Sequence, residues 1–401
     1  MKNNWETKTL GEVCDVVTGS TPKTSNKKFY GDFMMWAGPA DLDLDFYIVD
    51  TKKKLSQEGV VKGGVRVVPK NSVLMSCIGY IGKLGIAAED MATNQQINTF
   101  IPDNKILDSK FLFYQLKTKT EDFKKRSSQA TLAIINKTKC SEVSIEFPEL
   151  SEQKRIVGIL DEKFKAIEEL KKVTEAQIQD AKELFESRLN DIYSNINKTW
   201  ISESLINLTD KIGSGSTPRG GKKAYKNEGI SLVRSMNVYD GKFRFKNLAF
   251  IDETQASKLG NVTLEEGDVL FNITGASIAR CCVVPIEILP ARVNQHVSIL
   301  RPNRSKLIPR FLQLLMVSKL YKKILLSTGE VAGSTRQAIT KVQLENFNIS
   351  YPSIVEQKLI VKELDSLSEE TQELTEVFQN KIINLEELKK SYLDQAFAGK
   401  L

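Results

Sequence analysis

The chain has 401 residues, 41% hydrophobic and 27% charged, with 23 Gly, 11 Pro and a formal charge of +7. That composition belongs to a folded protein long enough for two or more domains, and it excludes collagen, fibre and wholesale disorder. The longest apolar runs, such as Ile78–Ala88, are broken by Gly and Lys and fall short of the ~20 residues of a membrane span. No apolar stretch follows Lys2, so the chain is expected to stay in the cytoplasm, away from membranes.

From the N-terminus, residues 1–150 are rich in Gly, β-branched residues and turn signals, which predicts short strands with a few helices such as Ser109–Leu116. After Pro148 the character changes: 151–197 lacks proline and is rich in Glu, Lys, Leu and Gln, the composition of one long helix. Residues 198–352 return to the first style, and 353–401 return to the second. In the last segment Leu364, Thr371, Phe378, Leu385 and Tyr392 recur every seven residues, with Leu367, Leu374 and Leu388 interleaved. That is coiled-coil spacing. Leu160, Ile167, Leu170 and Leu184 mark a less regular stripe on the first helix. The two stripes are expected to bury each other in an antiparallel pair, with the globular units at opposite ends. A helix of such length extends roughly 60 Å at 1.5 Å per residue.

The alternation reflects an internal repeat. Gly19-Ser20-Thr21-Pro22 returns as Gly215-Ser216-Thr217-Pro218, Asn94-Gln95 as Asn294-Gln295, and Phe111-Leu112 as Phe311-Leu312. Phe147-Pro148, Glu152-Gln153-Lys154 and Leu160-Asp161 return as Tyr351-Pro352, Glu356-Gln357-Lys358 and Leu364-Asp365. The order is kept while the offset drifts from 196 to 204 residues, as small insertions would cause.

Charge separates the pieces. Net charge is +3 over 1–150, −2 over 151–197, +10 over 198–352 and −4 over 353–401. Basic globular units joined by acidic helices point to an anionic partner, most simply nucleic acid.

Signs of catalysis are weak. The five cysteines form no C-x-x-C pair and read as reduced core thiols, and His296 is the one histidine, so a multi-histidine metal site is excluded. A phosphate-binding loop is excluded around Gly213–Lys222, because Ser216 stands where its first glycine belongs and Lys223 where its hydroxyl belongs. The glycine-rich cofactor loop and the Asn/Asp-Pro-Pro-aromatic loop of an amino-methyltransferase are both missing. Asp41-Leu42-Asp43-Leu44-Asp45 is the one suggestive carboxylate cluster, but the second half does not repeat it, so it reads as a variable loop.

The duplicated order of Gly-Ser-Thr-Pro, Asn-Gln, and then Pro with Glu-Gln-Lys and a long helix resembles the specificity subunit of type I restriction-modification systems, over essentially the whole chain. The stretch from Leu388 to Leu401 also looks like that family's terminal signature, with Glu186-Ser187-Arg188-Leu189 as its partner in the first half. The resemblance implies an α+β fold: two target-recognition domains with mixed β-sheets (1–150 and 198–352), separated by two spacer helices (151–197 and 353–401) forming an antiparallel coiled coil. It further implies a non-catalytic subunit that binds double-stranded DNA, each domain reading half of a bipartite site. The helices would set the spacing and dock two methyltransferase subunits carrying S-adenosylmethionine. A separate nuclease-translocase subunit would use ATP and Mg, leaving this chain without cofactor or metal.

Two alternatives stand beside this reading: a coiled-coil adaptor with two protein-binding domains, and a specificity subunit serving a fused nuclease-methyltransferase.

Groups able to touch DNA are expected on the loops. In the first unit they are Ser20, Thr21, Lys23 and Lys27; in the second, Ser216, Thr217, Arg219, Lys222, Lys223, Arg234, Asn237, Lys242, Arg244 and Arg336. Asn94-Gln95 and its repeat are better read as scaffold, since two domains reading different sequences should agree at scaffold positions and differ at base contacts. By the same argument, specificity is expected in the poorly matched loops Asp41–Lys54 and Asp240–Lys246.

Overall fold

The structure, a computed structural model, describes residues 4–43, 46–128, 132–194, 199–218, 221–328 and 338–401. Its contacts divide the chain into two compact units, Met1–Thr174 with Asn380–Leu401, and Glu175–Gln379.

The first unit opens with strand Glu6–Thr9, paired antiparallel with Ser144–Phe147, so the start and end of the globular stretch close on each other. A five-stranded sheet follows in the order Cys14–Thr18, Ile97–Pro102, Val73–Ser76, Leu84–Ala87, Tyr47–Ile48, with only the last pair parallel. A second sheet runs Lys54–Leu55, Tyr30–Ala37, Met91–Thr93, Val67–Val68, in which Tyr30–Ala37 lies parallel to Met91–Thr93. Both sheets are therefore mixed. Val73–Ser76 and Leu84–Ala87 are buried at every position, as continuous apolar runs covered on both faces should be. Helix Ser109–Thr118, capped by the Asp108 carboxylate on the Lys110 and Phe111 amides, packs Phe111, Leu112 and Leu116 into the core.

The second unit repeats this plan. Ile201–Ser204 pairs with Asn348–Tyr351, and a four-stranded sheet runs Thr209–Ser214, Val297–Pro302, Val269–Asn272, Cys281–Val283. A three-stranded sheet places Ile230–Val233 between antiparallel Ala249–Ile251 and parallel Ala291–Val293. All five cysteines are free and buried. Burial pushes the thiols of Cys14, Cys140 and Cys282 up to about 12, so they stay protonated and inert at neutral pH.

The long helices are Leu150–Ser194 and Ile354–Phe397, and the repeated Glu-Gln-Lys explains how each one starts. The Gln153 side chain is fully buried; its Oε1 accepts from the Asp108 amide at 2.8 Å, and its Nε2 donates to the Ile106 and Pro148 carbonyls, both at 2.8 Å. Gln357 makes the same three bonds, to the Ile308 amide and to the Lys306 and Pro352 carbonyls, each at 2.9 Å. A second joint repeats eight residues further along each helix. The Asp161 carboxylate meets Lys110 at 2.6 Å, and Asp365 meets Arg310 at 2.7 Å.

Within the first unit the two helices pair antiparallel, with Lys389 over the Phe164 ring at 5.3 Å and Lys171 bonded to Glu386 at 2.7 Å. Within the second unit Arg188 meets Glu363 at 2.5 Å, and Leu189 and Tyr193 share a core with Ile360 and Leu364. An aromatic contact repeats as well: Phe397 stands edge-on to Phe111 at 5.2 Å, and Tyr193 packs against Phe311 at 5.5 Å.

The expected mutual burial of both stripes holds for only part of them. Leu160, Ile167, Leu364 and Leu385 are buried and Leu367 and Phe378 partly so, but Leu170, Leu184, Leu374 and Leu388 are exposed. Two helices enclose a single seam, and a row offset from that seam turns to solvent. Among the described residues no helix is long and apolar enough to cross a membrane.

The glutamine joint and the helix backbone give two stability predictions. Gln153→Leu strands three backbone groups of the joint and is expected to lower unfolding free energy by about 3 kcal/mol or more. Gly158→Ala, at an exposed helical site with open space around it, is expected to raise it by about 0.5–1 kcal/mol. Urea unfolding of the two variants checks both signs.

Candidate nucleic-acid interface

In each unit the duplicated motifs fold onto one another. Strand Cys14–Thr18 leads into Gly19, whose amide donates to the Ile97 carbonyl at 3.0 Å, while the Ser20 amide donates to Thr93 at 2.9 Å. A Cβ on Gly19 would collide with the Thr93 carbonyl oxygen, and one on Gly215 with that of Val293. Glycine recurs here because the backbone approaches so closely. The Thr21 hydroxyl donates to Gln95 Oε1, and Thr217 likewise to Gln295. The neighbouring asparagines hold the turn: Asn94 Oδ1 accepts from the Gln96 amide at 2.9 Å, and Asn294 Oδ1 from the His296 amide at 3.0 Å.

This turn supports a loop that leaves the buried central strand. The Cys77 amide bonds to the Gln96 carbonyl at 2.8 Å, and the Ile273 amide to that of His296 at 3.0 Å. His296 Nδ1 meets the Thr274 hydroxyl at 2.7 Å, which makes it part of this support. Single bridges then tie Ile78 to Ile134 and Thr274 to Ala338. Three loops of each unit thus meet at one place. In the first unit the meeting point displays Tyr80, 79% exposed, with Lys83 5.5 Å from its ring.

Comparison with known proteins decides the family. The sequence model of the type I restriction modification DNA specificity domain matches residues 2–180 and again 185–384. The chain belongs to the type I restriction-modification DNA specificity family. It is 28% identical to the type I restriction enzyme MjaIX specificity subunit of Methanocaldococcus jannaschii, over 71% of this chain and 70% of that one. It is 23% identical to the MjaVIII specificity subunit of the same organism, over 99% and 93%. Among solved structures it resembles a chain from work on complex assembly and conformational transition of the type I R-M system, with TM-score 0.79, 20% identity and 100% and 99% coverage. It also resembles the HsdS subunit of Thermoanaerobacter tengcongensis, with TM-score 0.64, 20% identity and 100% and 98% coverage. These two likenesses speak to the fold, and the duplicated α+β plan agrees with them.

Within this specificity fold the expected contact residues divide. Lys23 and Lys27 are exposed beside the first Gly-Ser-Thr-Pro segment, and Ser216 is exposed in the second. Ser20 is tied back, its hydroxyl donating to the Gly64 carbonyl at 3.0 Å, and Thr21 and Thr217 are committed to their glutamines. Arg219 and Arg336 lie outside the described residues, as do the side chains of Lys222 and Lys223.

Asn237 is corrected from reader to scaffold. It is fully buried; its Oδ1 accepts from the Arg234 amide at 3.1 Å and its Nδ2 donates to the Arg244 carbonyl at 2.9 Å. Asp41 does the same work in the first unit, accepting from the Gly38 amide at 2.9 Å and the Lys52 amide at 3.0 Å. Asp43 accepts from the Leu84 amide at 3.1 Å and pairs with Lys117 at 2.5 Å, while Asp45 lies outside the described residues.

The buried Asn237 carries a basic surface around it. Arg234 lies over the Tyr225 ring at 5.2 Å and donates to the Asn247 carbonyl. Lys242 and Arg244 are exposed on and beside the hairpin of Val238–Tyr239 and Lys242–Phe243. Arg280, missed by sequence reasoning, joins them, 4.6 Å from the Tyr239 ring. The signal that could have found it is the repeat: the Lys83 carbonyl accepts from the Ser76 amide and the Arg280 carbonyl from the Asn272 amide, both at 2.9 Å.

Asn237→Ala removes both side-chain bonds and is expected to destabilise the protein by about 2–3 kcal/mol, whereas Lys242→Ala at the exposed hairpin should shift stability by less than about 0.5 kcal/mol. Thermal unfolding of the two variants separates scaffold from surface.

Proposed function

We infer that this chain is the DNA-reading subunit of a type I restriction-modification complex, in which each globular domain recognises one half of a bipartite site. The observation that carries this is the duplication itself. Two specificity domains share their joints and differ in their exposed loops, which is the pattern of two readers with different targets on one scaffold.

The subunit performs no chemistry of its own. Two methyltransferase subunits would bring S-adenosylmethionine, and a nuclease-translocase subunit would bring ATP and Mg. Support for docking comes from the apolar rows turned away from the helix seam. Each unit has one: Leu170, Val173 and Leu388 in the first, and Leu184, Leu359, Leu374 and Val377 in the second, all at least 40% exposed. A soluble helix pair exposing such rows has surface suited to further subunits. Continuous helices of 45 and 44 residues, rather than flexible Gly/Ser linkers, support their role as the rigid spacer. At 3.4 Å per base pair, roughly 60 Å of helix matches about 18 base pairs as an upper scale.

The test is a map of N6-methyladenine across the host genome by long-read sequencing, with this gene intact and deleted. Loss of methylation at one bipartite motif is the expected result; an unchanged map in a strain that expresses the system would reject the reading. Exchange of residues 198–352 for those of another family member should change one half of the motif and leave the other.

A further inference from the structure

Among the described residues, most arginines of the second unit are tied to carboxylates or backbone carbonyls of the fold. Arg301 pairs with Asp268 at 2.7 Å and also with Glu265, and Arg310 pairs with Asp365 at 2.7 Å. Arg292 and Arg304 donate to backbone carbonyls, of Ala256 and Glu266. Arg244 and Arg280 have no carboxylate partner among the described residues, yet both converge on Tyr239. Arg244 Nη1 donates to the Tyr239 hydroxyl at 2.9 Å and its guanidinium lies 5.8 Å from the ring, while that of Arg280 lies 4.6 Å from it. The nearest carboxylate in sequence, Asp240, is taken up by Lys322. Two cations held together on one phenol repel each other, and an anion between them would relieve that repulsion. Guanidinium groups suit a tetrahedral oxyanion better than a point charge does, because each can present paired N–H donors.

We propose that Arg244 and Arg280, oriented by Tyr239, form a site for one phosphodiester group of the DNA backbone, and that this anchor exists only in the second unit. The proposal rests on the DNA-reading function inferred above. In the first unit Asp43 follows Asp41-Leu42 where Tyr239 follows Asn237-Val238, and its carboxylate is bound to Lys117 and to the Leu84 amide. Lys83, matching Arg280, lies over Tyr80 instead. The two domains therefore bind DNA unequally, with the second supplying a sequence-independent grip.

The experiment measures binding of the chain, assembled with its methyltransferase partner, to a duplex carrying the mapped motif and to a random duplex, over a range of salt concentrations. The double variant Arg244→Gln/Arg280→Gln is expected to bind both duplexes about tenfold more weakly at moderate salt, with the slope of log affinity against log salt reduced by about one, because a single phosphate is lost. The preferred base sequence should not change. Arg244→Lys/Arg280→Lys keeps the charge and should retain most of the slope. An unchanged affinity and slope in the Gln variant would overturn the site. So would a relaxed base preference in the second half-site, which would make the arginines base readers. Weaker binding by both variants with the slope intact would indicate structural damage and count against the site too. If the wild-type complex did not prefer the motif, the specificity reading would fail; a smaller salt slope on random duplex would still support the phosphate site, since that contact is blind to sequence.

Discussion

One buried carboxamide in each repeat governs the architecture. Gln153 and Gln357 each satisfy three backbone groups that converge from the Pro-containing segment before the long helix and from the turn before the core helix. Both glutamine side chains are fully buried, so a backbone group left without its partner there is costly, and glutamine supplies an acceptor and two donors in one planar group. Asparagine would be too short, and glutamate would present two acceptors where donors are required. The Asp161–Lys110 and Asp365–Arg310 pairs are a third to two-fifths exposed at the carboxylate, so they add orientation more than free energy. With the joint rigid, a helix leaves its domain in one direction, and each exposed loop keeps a fixed bearing on the helix that starts from that domain.

The repeat shows which residues hold backbone and which are free to vary. Gly19 and Gly215, Asn94 and Asn294, and Gln153 and Gln357 recur because each occupies a position where a backbone group or a close approach dictates the side chain. Asp41 and Asn237 differ in charge but accept the same kind of amide bond, while the second atom differs: Asp41 accepts from the Lys52 amide and Asn237 donates to the Arg244 carbonyl. Lys83 and Arg280, partly exposed at matching positions, have diverged in chemistry. Freedom to diverge at outward positions, around joints that recur, is what a shared frame with two different ligand surfaces would leave behind.

Much of this was legible in the sequence, because periodicity and repetition survive without coordinates. The duplicated plan, the long helices, the core helix near Ser109 and the buried thiols follow from patterns that depend on local chemistry. The coiled-coil stripe is only partly a seam: heptad spacing marks apolar positions, and spacing alone does not say that Leu170, Leu184, Leu374 and Leu388 lie off the one seam two helices can form. Asn237 looked like a reader because its residue type suits both a base edge and a buried cap, and only burial separates them. Arg280 was hidden because its partner, Tyr239, is distant in sequence and the two meet only through the pairing of strands Val269–Asn272 and Cys281–Val283 beside the hairpin.

Net charge takes on a more specific meaning once the partners are known. The +10 of residues 198–352 is a sum over cations that structure has neutralised and cations that it has not. Arg301 and Arg310 hold the fold and contribute little field outside, since their carboxylates lie within bonding distance. Arg244 and Arg280 project theirs outward, and the hydrogen bond from Arg244 also holds the Tyr239 phenol below its ordinary value, the response of an acid to uncompensated positive charge. Affinity that comes from such cations falls with salt and ignores sequence, whereas discrimination depends on loops whose side chains meet base edges. Separating the two roles lets the outward loops change their target while the grip on the duplex is kept. That separation is compatible with a first domain of only +3, provided the second supplies the larger share of the attraction.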